Sequence, residues 1–281
     1  MEVVEGFITH KQCTEIGKAR LARSKALLNS VPRAKALMST TSSSSLKALG
    51  DSSPTRELDA LVLGNTLIGY GDNISLENMT IIENLIKFSK LEADRETKES
   101  HSPAAWHRAF LQCMEDMGCS VPINASIEYK KRSGSGTMRN VVSTIIQAGV
   151  EAVKAAIPGA TVLSAVADST LSALEKEPET IKVFNYEVTK AKGVKLALLP
   201  CEQTKSGLVM VSFSSVNHVG DQVGGGVLFL DLKIASLDIY QGSNFLAFNP
   251  SAYAEVKDDV EFILAQNRKE VLAKRFVRRR Q

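Results

Sequence analysis

The residues best suited to chemistry are four cysteines, Cys13, Cys113, Cys119 and Cys201, and, among four histidines, His101, His107 and His218. A thiol within reach of an imidazole is the pairing for nucleophilic acyl transfer. Cys201 is the strongest candidate, because it sits in Leu198-Leu199-Pro200-Cys201-Glu202-Gln203, where an apolar strand gives way to a polar turn. His218 follows beyond the next strand, and in a meander those two joints lie at opposite ends of neighbouring strands. No catalytic residue is therefore assigned.

Metal and phosphate chemistry are weaker readings. His101, His107, Cys113 and Cys119 recur every six residues, an advance of about 240° around a helix after one full turn, so they do not converge on one face and no metal site is assigned. Gly64-Asn65-Thr66-Leu67-Ile68-Gly69 lacks the Lys-Ser/Thr of a phosphate loop, and Gly224-Gly225-Gly226 precedes a strand instead of opening a helix. Neither offers helix N-terminal donors to a nucleotide. The four cysteines form no CxxC pair, and in 281 residues they are too few for a disulfide scaffold.

The C-terminus carries the clearest electrostatic feature. Arg268, Lys269, Lys274, Arg275, Arg278, Arg279 and Arg280 face only Glu270 over the last fourteen residues. Cations at a helix end complement the macrodipole, and Lys274, Arg275, Arg278, Arg279 and Arg280 also form a cluster suited to an anionic membrane surface, at roughly 1 kcal/mol per residue. With neither a nucleic-acid-binding motif nor interleaved aromatics, no nucleic-acid partner is expected.

The frame that must position these groups is that of a globular chain. Hydrophobic residues make up 44%, charged residues 23%, and the net charge is +3, which fits a packed core and excludes disordered, collagen-like or supercharged classes. Glu2 and Glu5 stand where a secretory signal would be basic, so synthesis in the cytoplasm without a signal peptide is expected. The sequons at Asn73, Asn78 and Asn124 are then chance matches. No window is apolar enough for a membrane span.

Residues 1–55 read as a basic, Ser-rich arm, with a helix over Thr9–Met38 and a Ser39–Ser45 linker. Residues 56–281 read as one α+β domain, with a helical part over 56–178 and a β-meander with a final helix over 179–281. Ser75 caps a helix reaching about Glu99, whose apolar face is Leu76, Met79, Ile82, Leu85 and Ile86. Ser102-Pro103 starts a second, ended by Gly118, with Trp106, Phe110, Met114 and Met117 as a core stripe. Ile123–Lys131 reads as a strand and Ser133–Gly136 as a turn. Thr137–Ile157 and Thr161–Leu174 form an Ala-rich helical hairpin, too polar at Arg139, Glu151, Lys154 and Asp168 for spontaneous insertion. Strands are expected at Ile181–Val188, Val194–Cys201, Leu208–Val216, Val227–Ile234 and Leu237–Phe248, as an antiparallel meander. A helix after Asn249-Pro250, with Tyr253, Val256, Val260, Ile263, Leu264 and Val271 on one side, closes the fold.

With this layout and the Pro200-Cys201 strand end in place, the chain resembles the Erwinia virulence factor family, bacterial proteins of insect-gut colonisation, over roughly Leu58 to Phe276. The resemblance implies a non-enzymatic protein with palmitate on a cysteine through a thioester, here Cys201, and membrane association in the host gut. It implies a fatty acyl donor and a membrane surface as partners, a monomer, and delivery to the host by a route it does not name; nor does it name a host target. Burial of a palmitoyl chain is worth about 11 kcal/mol at roughly 0.8 per methylene. The chain together with the basic C-terminus would supply the two attachments that stable anchoring takes. The alternatives are a Cys-dependent acyltransferase or thioesterase, and a pore-forming protein using the Ala-rich hairpin 137–174.

Overall fold

The computed structural model describes residues 60–99, 102–120, 126–153, 159–177, 196–218, 233–248 and 250–278, with single positions at 22, 23, 25, 26, 180 and 184. The elements in chain order are β1 (Ala60–Leu63), β2 (Thr66–Tyr70), α1 (Leu76–Glu96), α2 (Pro103–Asp116), β3 (Cys119–Ser120), β4 (Ser126–Thr137), α3 (Met138–Val153), α4 (Val162–Glu175), β5 (Leu196–Gln203), β6 (Val209–His218), β7 (Lys233–Phe248), α5 (Pro250–Tyr253) and α6 (Lys257–Arg278). This is an α+β fold closed by a C-terminal helix.

The helix starts follow their capping chemistry. Asn78 N donates to Ser75 Oγ at 3.2 Å, and Ala105 N donates to Ser102 Oγ at 3.3 Å with Pro103 in the first turn. Each hydroxyl thus satisfies an amide that the helix cannot. Gly118, at φ +102°, turns the chain out of α2 in a conformation that a side chain would strain. Met79, Ile82, Leu85 and Ile86 are buried on α1, as are Trp106, Phe110, Met114 and Met117 along and just past α2. Leu76 is 65% exposed, so the inward face of α1 begins one turn later than its spacing predicts; Ile81 and Phe88 are buried with it instead.

Among the described residues the sheet has seven strands in the order β1-β2-β5-β6-β7-β3, with β4 also paired to β7. β5, β6 and β7 form the expected antiparallel meander. The pairing not foreseen is β2 with β5, which is parallel, in the register Thr66↔Ala197 to Tyr70↔Cys201. It joins the β1–β2 hairpin, turned by Gly64 at φ +62°, to the meander.

Three segments differ from expectation. Ser133–Gly136 is not a turn: β4 runs through it, pairing Ser133 with Asp238 and Gly136 with Ile234 across a bulge. The long partner strand supplies a ladder that outweighs local turn propensity. The two strands expected at Val227–Ile234 and Leu237–Phe248 are one strand from Lys233, and 227–232 lie outside the described residues. In the strand expected at Ile181–Val188, the described residue Phe184 is helical and fully buried. Of the N-terminal arm, Ala22, Arg23, Lys25 and Ala26 are helical, as expected, and Arg23 Nε lies 3.3 Å from Asp116 Oδ2 at the end of α2.

Alternation along the strands sends side chains to two covered faces. Ile68, Tyr70, Ala197, Leu199, Cys201, Val209, Val211, Phe213, Leu246 and Phe248 share one core with α1, α2, Tyr253 and the start of α6. The opposite face is covered by α3 and α4, which contact β2, β5, β6 and β7. The Ala-rich hairpin thus packs against the sheet, with Ile146, Val150, Leu163, Ala167 and Leu171 buried and Arg139 Nη2 donating to Ser172 Oγ at 3.3 Å between its arms. No helix among the described residues is long and apolar enough to cross a membrane.

The approach of α4 to β2 depends on Gly69. A Cβ there would lie 1.8 Å from Thr170 Oγ1 and 3.2 Å from Val166 Cγ1, and Thr170 is held by its own bond to Val166 O at 2.6 Å. Gly69→Ala is expected to cost about 2 kcal/mol by overpacking, with partial recovery in Gly69→Ala/Thr170→Ala, read from urea midpoints. A single variant as stable as the parent would remove this account of the contact.

Candidate functional site

Cys201 closes the parallel pair: it is the register partner of Tyr70, where β2 ends while β5 runs on to Gln203. Ligands of sheets with parallel strands are commonly bound at the carboxyl ends of those strands. The β2–α1 joint is fixed there by the two residues after the cysteine. Gly71 N donates to Cys201 O at 2.8 Å. Glu202 is buried, and its Oε1 accepts from Asn73 N at 3.2 Å and from Gln203 N at 2.7 Å. Gln203 Oε1 accepts from Ser75 N at 3.2 Å and Asn78 Nδ2 at 3.0 Å. Gly71 is glycine because the carboxylate occupies the place of a side chain: a Cβ would meet Glu202 Oε2 at 2.1 Å.

The thiol itself is fully buried, and its Sγ donates to Leu199 O at 3.3 Å. Burial pushes its pKa far above that of an ordinary thiol, with Cys119 and Glu202 acting in the same direction. Tyr70 beside it is raised for the same main reason, with Cys201 and Glu83 adding to the effect. Both groups are therefore neutral at physiological pH. A neutral, enclosed thiol is a poor nucleophile.

The structure keeps Cys201 and His218 apart. Cys201 pairs with Val211, seven positions along β6 from His218, roughly 23 Å at strand rise. The buried imidazole with a hydroxyl partner is instead His107, whose six-residue spacing from Cys113 suggests only a metal ligand. Its Nδ1 lies 2.5 Å from Ser215 Oγ, both residues are buried, and its ring stacks on Phe213 at 5.0 Å. Burial lowers its pKa to about 3. The pair has the chemistry of a serine nucleophile and base without access for a substrate, and it serves as a polar joint between α2 and β6. The sequence does contain its trace: two-residue alternation from Val211 and Phe213 puts Ser215 on the inner face, where a hydroxyl needs a partner.

Cys113 and Cys119 are buried thiols, and Cys113 is raised by burial to about 12. Among the described residues no group of three or more His, Cys, Asp or Glu is placed to hold a metal. Cys13 and His101 lie outside the described residues. Lys274, Arg275 and Arg278 are on the last turns of α6, whereas Arg279 and Arg280 lie beyond the described residues.

No family model and no curated protein matches this chain. Among solved structures, that of the Evf virulence factor is similar at 11% identity and a TM-score of 0.31, covering 69% of this chain and 76% of that one. This is a distant likeness, from which neither family membership nor any chemistry at Cys201 follows.

Proposed function

We propose that the chain is a non-enzymatic, virulence-type protein that carries a fatty acyl group on Cys201 as a thioester and acts at a host membrane surface. The observation that supports this most is the place of the thiol. Cys201 is fully buried at the end of the parallel strand pair, in a core layer shared with α1, α2 and α6. A thioester there is shielded from water, and its alkyl chain has aliphatic and aromatic neighbours.

The step is an exchange. With the β2–α1 joint open, the Cys201 thiolate attacks the carbonyl carbon of an acyl thioester donor, the carbon–sulfur bond of the donor breaks, and the departing thiolate takes up the proton that Cys201 lost. One thioester replaces another, so burial of the alkyl chain, at roughly 0.8 kcal/mol per methylene, sets the balance. Release of the chain toward a membrane, combined with Lys274, Arg275, Arg278, Arg279 and Arg280, would supply two attachments, as stable anchoring takes.

Protein purified from its native source is expected to show, by intact mass, a fatty acyl increment that neutral hydroxylamine removes and that peptide mapping places on Cys201. Cys201→Ser should lack it. A free thiol at Cys201 in native material sinks the proposal. An adduct that turns over with added thiol would favour the acyltransferase or thioesterase reading.

A further inference from the structure

Away from Cys201, the β1–β2 turn, α1 and α6 line an open cleft of about 400 Å³, within the usual range of small-molecule sites. Its chemistry is divided. Leu63 and Leu264 supply apolar wall, while Lys87, Lys90 and Arg268 supply positive charge and Asn84 and Asn267 supply amides. The spacing explains the convergence: Leu264, Asn267 and Arg268 fall at three- and four-residue intervals on one side of α6, and Asn84, Lys87 and Lys90 follow one another at three-residue steps along α1.

The cations have different tasks. Lys90 Nζ donates to Leu63 O at 3.1 Å, Asn65 Oδ1 at 2.7 Å and Thr66 Oγ1 at 2.9 Å. Its three N–H groups are thereby directed at neutral oxygens, which pin the hairpin turn to α1 and hold the ammonium at the cavity wall. Lys87 Nζ pairs with Glu83 Oε2 at 2.9 Å, an i,i+4 contact on the partly exposed side of α1, and an ammonium has donors beyond that one. Arg268 is exposed at the rim. Asn84 Nδ2 stands between the cavity and Glu261, donating to its Oε1 at 3.5 Å. Glu83 thus pairs with one of the three cations that line the cavity, beside an apolar wall of Leu63 and Leu264.

We propose that this cavity binds a phosphate ester, with the phosphate between Lys87 and Arg268 and the apolar part of the ester against Leu63 and Leu264. A point charge from α1 and a planar fork from α6 suit a tetrahedral dianion better than a single carboxylate. The ester is either a soluble metabolite or the headgroup of an anionic lipid; the recognition chemistry is the same.

Octyl phosphate titrated calorimetrically into the full chain is expected to bind saturably, more tightly than inorganic phosphate because only the ester has an apolar part. Arg268→Gln and Lys87→Gln should each weaken it about ten-fold, the loss of one charge-assisted hydrogen bond, with an unchanged thermal midpoint. Lys274→Gln/Arg275→Gln should leave octyl phosphate binding as it was. Sedimentation with phosphatidylcholine vesicles containing phosphatidic acid separates the sources. Vesicle binding that falls in Arg268→Gln and Lys87→Gln assigns the site to a headgroup, and vesicle binding indifferent to both assigns it to a soluble ester. Absence of saturable octyl phosphate binding, or binding unaffected by either substitution, overturns the site.

Discussion

Acidification from pH 6.5 to about 3 is expected to remove on the order of 5 kcal/mol of folding stability through His107 alone. In the folded chain burial lowers its pKa to about 3, whereas the unfolded chain titrates near the ordinary 6.5. Between those values the unfolded state binds a proton that the native state refuses. Stability from this group is therefore complete above pH 6.5, declines as pH falls through the window, and changes no further below about 3. Carboxylates act mainly at the lower end of the range, so the decline between pH 6.5 and 5 belongs chiefly to the imidazole. Urea unfolding at a series of pH values, on the parent and on His107→Gln, isolates it: the variant loses the slope, because an amide can meet Ser215 Oγ without titrating. Parallel profiles for the two proteins would show that His107 is hydrated.

Phe213→Ala is expected to cost about 3–5 kcal/mol, as for other large aromatic truncations in packed cores. Phe213 is fully buried, and its ring lies between Phe110, at a centroid distance of 4.4 Å, and His107, at 5.0 Å. Truncation removes the contact surface that α2 shares with the middle of β6, and neighbours anchored on a seven-stranded sheet can close the gap only in part. The urea midpoint should fall with little change in its denaturant slope. A loss below about 1 kcal/mol would mean that α2 collapses onto the sheet. The two effects are coupled: water admitted beside the imidazole relieves its desolvation, so the acid-sensitive window of Phe213→Ala should be narrower than that of the parent.

The local part of this fold was legible. Ser75, Ser102-Pro103 and Gly118 mark helix ends by chemistry that acts within four residues, and the stripes of α1 and α2 follow from burial on one side. Cys201 lies within β5 and not at its end, because pairing with β6 carries the strand on through Glu202 and Gln203. What escaped depends on partners far along the chain. Ser133–Gly136 has turn composition, and only β7, a hundred residues later, makes it a strand. Gly64–Gly69 was weighed as a phosphate loop and rejected, yet its glycines turn a hairpin and admit Thr170. The pairing of Tyr70 with Cys201 and the bond between His107 and Ser215 leave only faint local traces, because periodicity reports which face a residue takes and not what lies opposite.

The β2–β5 pairing also sets a clock for synthesis. The partner of Thr66–Tyr70 is Ala197–Cys201, so at roughly 5–20 residues per second the hairpin waits on the order of ten seconds after leaving the ribosome before its neighbouring strand exists. During that delay one edge of β2 and the sheet-facing side of α1 lack their native cover, while the packing of α1 on α2 can already form. Closure of the sheet therefore comes late, after Ala197–Cys201 has been made.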